Sequence, residues 1–169
     1  MIRKLLFLIS AFTLGVLFGT IVVNCYEHVT LQPWKWKDPP IILNCYGEEL
    51  NEAYIQQGVD YWKKFGYEFA FIEQNPSKKT CSKEEIDGFV MLKKRITDKG
   101  GGTLAVTRRK IGFGYIRNAV IYFNPGSYRI NLIIEHELGH ALGFQHVNIK
   151  GHIMYPTING FGPKFWIPD

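Results

Sequence analysis

Three histidines and one glutamate carry the chemistry that this chain can do. They fall in the run His136-Glu137-Leu138-Gly139-His140-Ala141-Leu142-Gly143-Phe144-Gln145-His146. On a helix, residues four apart lie one turn up the same face, so His136 and His140 can offer two imidazoles to one metal ion. Glu137 sits one position round, within reach of a water on that ion without being a ligand itself. Gly143 suits the position just past a helix end, because glycine alone enters the left-handed conformation there at no steric cost. The chain then turns back and brings His146 as a third nitrogen. Three protein ligands leave the fourth position of a tetrahedral zinc to water, which marks a catalytic site rather than a structural one. The expected chemistry is hydrolysis with one Zn²⁺ and with Glu137 as general base.

The extended spacing H-E-x-x-H-x-x-G-x-x-H fixes five positions, and its glycine has a mechanical reason to be there. Together with Ile153-Met154-Tyr155-Pro156 shortly after it, the stretch resembles the metzincin clan of zinc peptidases and, within it, the matrixins. The resemblance runs from about Gly101 to Pro156 and is weak before that. It implies an α+β, metzincin-like fold: a twisted mixed five-stranded sheet, two main helices and a very short C-terminal subdomain. It makes Met154 the residue of a Met-turn that passes beneath the metal as a hydrophobic base. Gly102-Thr103-Leu104-Ala105 is similar to the family's Gly-x-Leu-Ala stretch, the antiparallel edge strand beside the cleft. An exposed edge offers backbone N–H and C=O groups to an extended peptide, so Leu104 and Ala105 become the substrate-binding candidates.

The chain also departs from that family. Beyond the motif only His28 and His152 remain, too few and too scattered for a second, structural zinc. His152 reads as a surface residue or a neighbour of the ligands, not a fourth ligand, and Tyr155 is not read as a ligand. Asp- and Gly-rich calcium loops are missing, and the segment before the domain lacks the family's Cys-containing latency motif. Asp169 follows Pro156 too soon for a C-terminal helix, so Thr157 to Pro168, with Phe161, Phe165 and Trp166, is expected to close the lower part as an apolar flap.

Several elements must position these groups. Ile41-Ile42-Leu43 reads as a buried strand, and Glu48 to Phe65 as a helix with apolar residues three or four apart, ended by Gly66. Strands are expected over Tyr67–Ile72, Ile86–Lys93, Thr103–Thr107 and Asn118–Phe123, with turns at Asn75-Pro76-Ser77 and Gly100–Gly102. The motif helix is placed near Tyr128 to Gly143, capped by Ser127 or Asn131.

Arg3-Lys4 precede an uncharged apolar run from Leu5 to Val23, which as helix would span about 28 Å, enough for a bilayer core. Residues 1–24 are therefore read as a signal-anchor helix that binds the membrane and leaves the catalytic part outside the cytoplasm. A cleaved signal peptide, giving a secreted protein, is the alternative. Residues 25–40 read as a juxtamembrane linker, in which Trp34 and Trp36 rest either at the membrane interface or on the domain itself. Residues 41–169 form the catalytic domain. The formal charge of +5 is scattered, with Lys93-Lys94-Arg95 and Arg108-Arg109-Lys110 as short solvated runs, which gives no nucleic-acid footprint. Of the three cysteines, Cys45 and Cys81 lie near strand ends on one edge and are expected to pair; Cys25 stays near the membrane. The expected substrate is protein or peptide, cut as by an endopeptidase. A tethered binding module with a structural zinc and a zinc amidase acting on cell-wall peptides are the alternatives. The sequence does not specify an oligomeric state.

Overall fold

Runs of β-branched and apolar residues pair into one mixed sheet, and two helices pack on one of its faces. The computed structural model describes residues 32–95 and 103–167. The apolar run Leu5–Val23, Cys25, His28 and the Gly100–Gly102 turn lie outside them. Among the described residues no helix is long and apolar enough to cross a membrane.

In chain order the elements are β1 (Lys35–Trp36), β2 (Ile41–Cys45), α1 (Glu52–Lys63), β3 (Ile72–Glu73), α2 (Lys78–Cys81), β4 (Phe89–Lys94), β5 (Ala105–Gly112), β6 (Tyr115–Phe123) and α3 (Ile133–Ala141). Short 3₁₀ turns lie at Ser127–Arg129, between β6 and α3, and at Ile158–Gly160, after α3. Across the sheet the strands run β5-β6-β4-β2-β3, and β1 lies beside the start of β6. Every pairing is parallel except β5 with β6, which form an antiparallel hairpin. The expected mixed five-stranded sheet is thus present, with a sixth short strand drawn from the stretch read as a linker.

Period-two alternation divides the strand residues between two faces. Ile42, Val90, Leu92, Ala119 and Ile121 point into the main core under the helices. Leu43, Met91 and Val120 form a smaller cluster on the opposite face. Asn51 caps α1 by accepting the Tyr54 N–H, and α1 buries Ile55, Gly58 and Trp62. Two glycines set how closely α1 and α3 approach. A β-carbon on Gly58 would lie 2.8 Å from Ile134 Cγ2 and 2.9 Å from Leu138 Cδ1. One on Gly139 would lie 2.5 Å from both Met154 Sδ and Trp62 Cζ2.

The expected helix Glu48–Phe65 is confined to Glu52–Lys63 and the strand expected from Asn118 begins at Tyr115, and four further expectations need correction. Tyr67–Ile72 is not a strand: the Tyr67 N–H donates to Trp62 O at the end of α1 and its ring packs on Phe144, so only Ile72–Glu73 pairs with β2. β4 begins at Phe89, because Gly88 at φ +86° makes a turn there. β5 runs on to Gly112 instead of ending at Thr107, carried by its hairpin with β6. The motif helix starts at Ile133, and its cap is Leu132 at φ +65°, neither Ser127 nor Asn131. Ser127 instead opens the 3₁₀ turn and donates its hydroxyl to Leu104 O and Asn124 O, tying that turn to the start of β5.

Cys45, at the end of β2, and Cys81, at the end of α2, are joined, with Cα atoms 5.3 Å apart and a sequence separation of 36. Sulfur pairing fastens the otherwise lightly packed α2 to the sheet. Closing a loop of that length removes chain entropy worth about 3–4 kcal/mol from the unfolded state. A Cys45→Ser, Cys81→Ser variant is expected to lose about that much stability in urea unfolding at unchanged secondary structure. An unaltered midpoint would show that the bridge contributes nothing to folding.

Candidate metal centre

Helix α3 presents His136 and His140 one turn apart, and the chain then reverses. The reversal is a Schellman motif: the Gly143 N–H donates to His140 O and the Phe144 N–H to Gly139 O, with Gly143 at φ +111°. A side chain there would also collide with the Trp34 carbonyl. The turn delivers His146 so that its Nε2 lies 3.1 Å from His140 Nε2. One ligand atom from each of the three histidines lies within 4.8 Å of the others.

Two carbonyls fix the rings. His136 Nδ1 lies 2.7 Å from Ile153 O, and His140 Nδ1 lies 2.9 Å from Phe144 O. As N–H donors to these oxygens, both rings hold their Nε2 lone pairs free for a metal. Burial pushes His136 down to about 4 and His140 to about 3, with neighbouring positive charge adding to the effect; His146 is also lowered by burial. All three are therefore neutral near pH 7, the form in which imidazole binds a metal. Three neutral imidazole nitrogens near a common point, two oriented by a second bond, fit zinc.

Glu137 is buried beside them, and burial raises its carboxyl to about 7, against the pull of a hydrogen bond from Thr107. Thr107 Oγ1 donates to Glu137 Oε2 at 2.6 Å. These groups line a cleft of about 800 Å³ bounded by the edge of β5 on one side and by Pro156 to Phe161 on the other. Phe161 stacks on the His136 ring at 4.4 Å between centroids, and Phe165 packs against Trp62 and Phe144. The tail over Thr157 to Trp166 thus closes the lower part through its aromatic residues.

Met154 is fully buried with its sulfur against Gly139. Its turn serves the site through the backbone as well, since Ile153 O is what holds His136. Of the two readings of His152, a surface residue or a neighbour of the ligands, the first is excluded. It is fully buried, its Nδ1 accepts the Met154 N–H at 3.0 Å, and its Nε2 donates to Trp166 O at 2.9 Å. One imidazole therefore binds the Met-turn to the tail. Tyr155 lies outside the histidine cluster, its ring against Gly160.

The edge of β5 is more selective than its sequence indicated. Leu104 O accepts the Asn124 N–H at 2.9 Å and the Ser127 hydroxyl, so its carbonyl is already used. Antiparallel pairing alternates, so the next residues that turn N–H and C=O away from β6 are Ala105 and Thr107. Leu104 lines the cleft; Ala105 lines it and also offers main-chain groups.

Two residues of the site escaped sequence reasoning. Thr107 holds Glu137. Arg109, read as part of a solvated run, is half-buried and donates to His140 O at 2.5 Å and Phe144 O at 3.2 Å. It caps the C-terminus of α3, where a cation is favoured, and braces the carbonyl that orients His140. The signal was strand alternation: carried past Thr107, it turns Ala105, Thr107 and Arg109 to one side and Arg108 and Lys110 to the other.

Neutral imidazoles aimed at one point, a carboxylate alongside and an open cleft under a free strand edge define a metallohydrolase site. The matrixin family model matches residues 49–167, and the chain belongs to that family of zinc metallopeptidases. No curated protein matches the chain.

Thr107→Val keeps the shape of the side chain but leaves Glu137 Oε2 without its donor. Peptide hydrolysis is expected to fall about tenfold, the equivalent of roughly 1.4 kcal/mol. Zinc content should stay at wild type, and Thr107→Ser should recover most of the rate. Equal rates for the valine and wild-type proteins would show that the hydroxyl does not set the carboxylate.

Proposed function

We propose that the protein is a zinc-dependent endopeptidase, with His136, His140 and His146 as the metal ligands and Glu137 as the general base. The observation that carries this reading is the position of Glu137: buried, bonded by Thr107, next to three converging imidazoles and yet outside their cluster. A structural clip needs no such carboxylate. Zinc, when bound, supplies Lewis acidity that brings the pKa of a water to about 7 and polarises a carbonyl. Glu137 takes the proton from the attacking water and delivers it to the leaving amine. Its Oε2 is held by Thr107, so Oε1 is the oxygen left for that exchange.

The substrate is read as an extended peptide lying along β5. Ala105 and Thr107 provide N–H and C=O groups for a ladder, and Leu104 provides an apolar contact. Met154 supports the floor beneath the ligands. The apolar run Leu5–Val23 after Arg3-Lys4 supports membrane anchoring, and the Cys45–Cys81 bridge supports a catalytic domain outside the cytoplasm.

Glu137→Ala separates base from ligand. Its zinc content and melting temperature should match wild type, while hydrolysis of a peptide library falls by about 10²- to 10⁴-fold. Full retained activity would sink the mechanism. Ala105→Pro tests the ladder. The Ala105 N–H points away from β6, so proline removes a donor to substrate and spares the hairpin. Expected is a clear loss of hydrolysis, about tenfold for one hydrogen bond, at normal zinc content. Unchanged turnover would mean that the peptide runs elsewhere.

A further inference from the structure

The hairpin between β5 and β6 turns on two residues, Phe113 and Gly114, at φ +54° and +81°. Left-handed conformations at both central positions are what a tight hairpin of the type I′ kind requires, and Asn-Gly is the pair that supplies them cheaply. Phenylalanine at the first position is costly twice over. A bulky side chain is strained at positive φ, and this ring is 94 % exposed to water. Nothing in the fold accounts for that choice, since the ring touches no core. A strained, exposed residue kept at a tip points to something outside the molecule.

Its neighbours indicate what. Tyr115, the next residue along, is 47 % exposed, and Trp34 is 37 % exposed. Lys35 is the register partner of Tyr115, so the two share a face of the sheet. Lys35 and Lys37 are in no ion pair among the described residues, whereas Lys110 and Arg117 nearby are paired with Glu85 and Asp87. Asp38 is the one carboxylate in the Trp34–Asp38 stretch. Trp36 is excluded from the patch, because its indole donates to Ala141 O inside the domain. Aromatic rings beside unpaired lysines are the composition of a surface that rests in the headgroup layer of an anionic bilayer.

We propose that the Phe113 tip, with Trp34, Tyr115, Lys35 and Lys37, docks on an anionic lipid surface. The inference rests on the anchoring reading above. Residues 24–31 join the apolar run to Gln32 and reach at most about 30 Å when fully extended. The domain is thus confined near the lipid, and the strand that follows this tether, β1, is the one that lies beside the hairpin tip. Docked in this way, β5 rises from the surface, and Ala105 stands up to about 25 Å along the strand from Phe113. The cleft is then held off the lipid at a fixed height, where it meets chains projecting from the same membrane.

The full chain, reconstituted in phosphatidylcholine–phosphatidylserine vesicles that carry a diazirine-tagged acyl chain, tests this by photolabelling and peptide mapping. Label is expected on the peptide containing Phe113, on that containing Trp34 and on the Leu5–Val23 run, and not around Glu48 past the far end of β2. In Phe113→Asn, which suits the turn and should melt higher than wild type, the hairpin label should be lost while the label on the run persists. A labelled run with an unlabelled hairpin in the wild-type protein overturns the docking surface and leaves the anchor standing. An unlabelled run with a labelled hairpin overturns the anchor and supports the hairpin as a peripheral contact. Hairpin label that is unchanged in phosphatidylcholine alone refutes the anionic assignment. Hairpin-to-hairpin crosslinks that form without vesicles reassign the patch to a second copy of the chain.

Discussion

The candidate metal centre depends on how closely α3 can lie against α1. Glycine at 58 and 139 lets the two helices approach until Trp62 fills the space between them. From that position the indole N–H of Trp62 donates to Glu135 O in α3, and its ring stacks on Phe144 at 5.1 Å. Phe144 O is in turn the acceptor for His140 Nδ1 and for Arg109. The aim of the His140 ring is therefore set by a chain of contacts that begins in the helix-helix seam. Misplacement by about 1 Å is enough to spoil a catalytic constellation, so the seam bears on chemistry as well as on stability.

A second constraint comes from charge. Imidazoles that carry no charge at neutral pH leave their lone pairs directed at one point, and for His136 and His140 the nearby backbone carbonyls settle which nitrogen carries the proton. His152 does comparable work without touching the site. By accepting from Met154 and donating to Trp166, it makes the Met-turn and the aromatic tail a single unit. The tail compensates in this way for its lack of regular structure, since only one 3₁₀ turn lies in it.

Much of this was legible in the residues. The motif spacing and the glycine that reverses the chain are local signals, and a histidine pair at helical spacing has few other geometric consequences. The sheet followed from apolar runs, because Ile42, Val90 and Ile121 sit in strands buried on both faces. Legibility failed where tertiary contacts overrode local pattern. Tyr67 to Ile72 reads as a strand, yet the Tyr67 N–H is taken by the end of α1. Leu132 has no capping side chain, and sequence rules for helix starts look for one. Arg109 looked solvated because a run of three basic residues hides its alternation. Once β5 is known to continue to Gly112, the middle residue must face the helix. Leu104 and Ala105 were adjacent candidates of equal standing until the register of β5 on β6 separated them.

The edge of β5 has one further consequence. A recognition surface made of main-chain groups is indifferent to most side chains but demands a partner whose own N–H and C=O are unspent. Residues inside a folded helix or sheet have already used theirs. In the proposed mode the cleft therefore sorts proteins by conformation before it sorts them by sequence: loops, frayed ends and damaged chains are admitted, and intact domains are passed over.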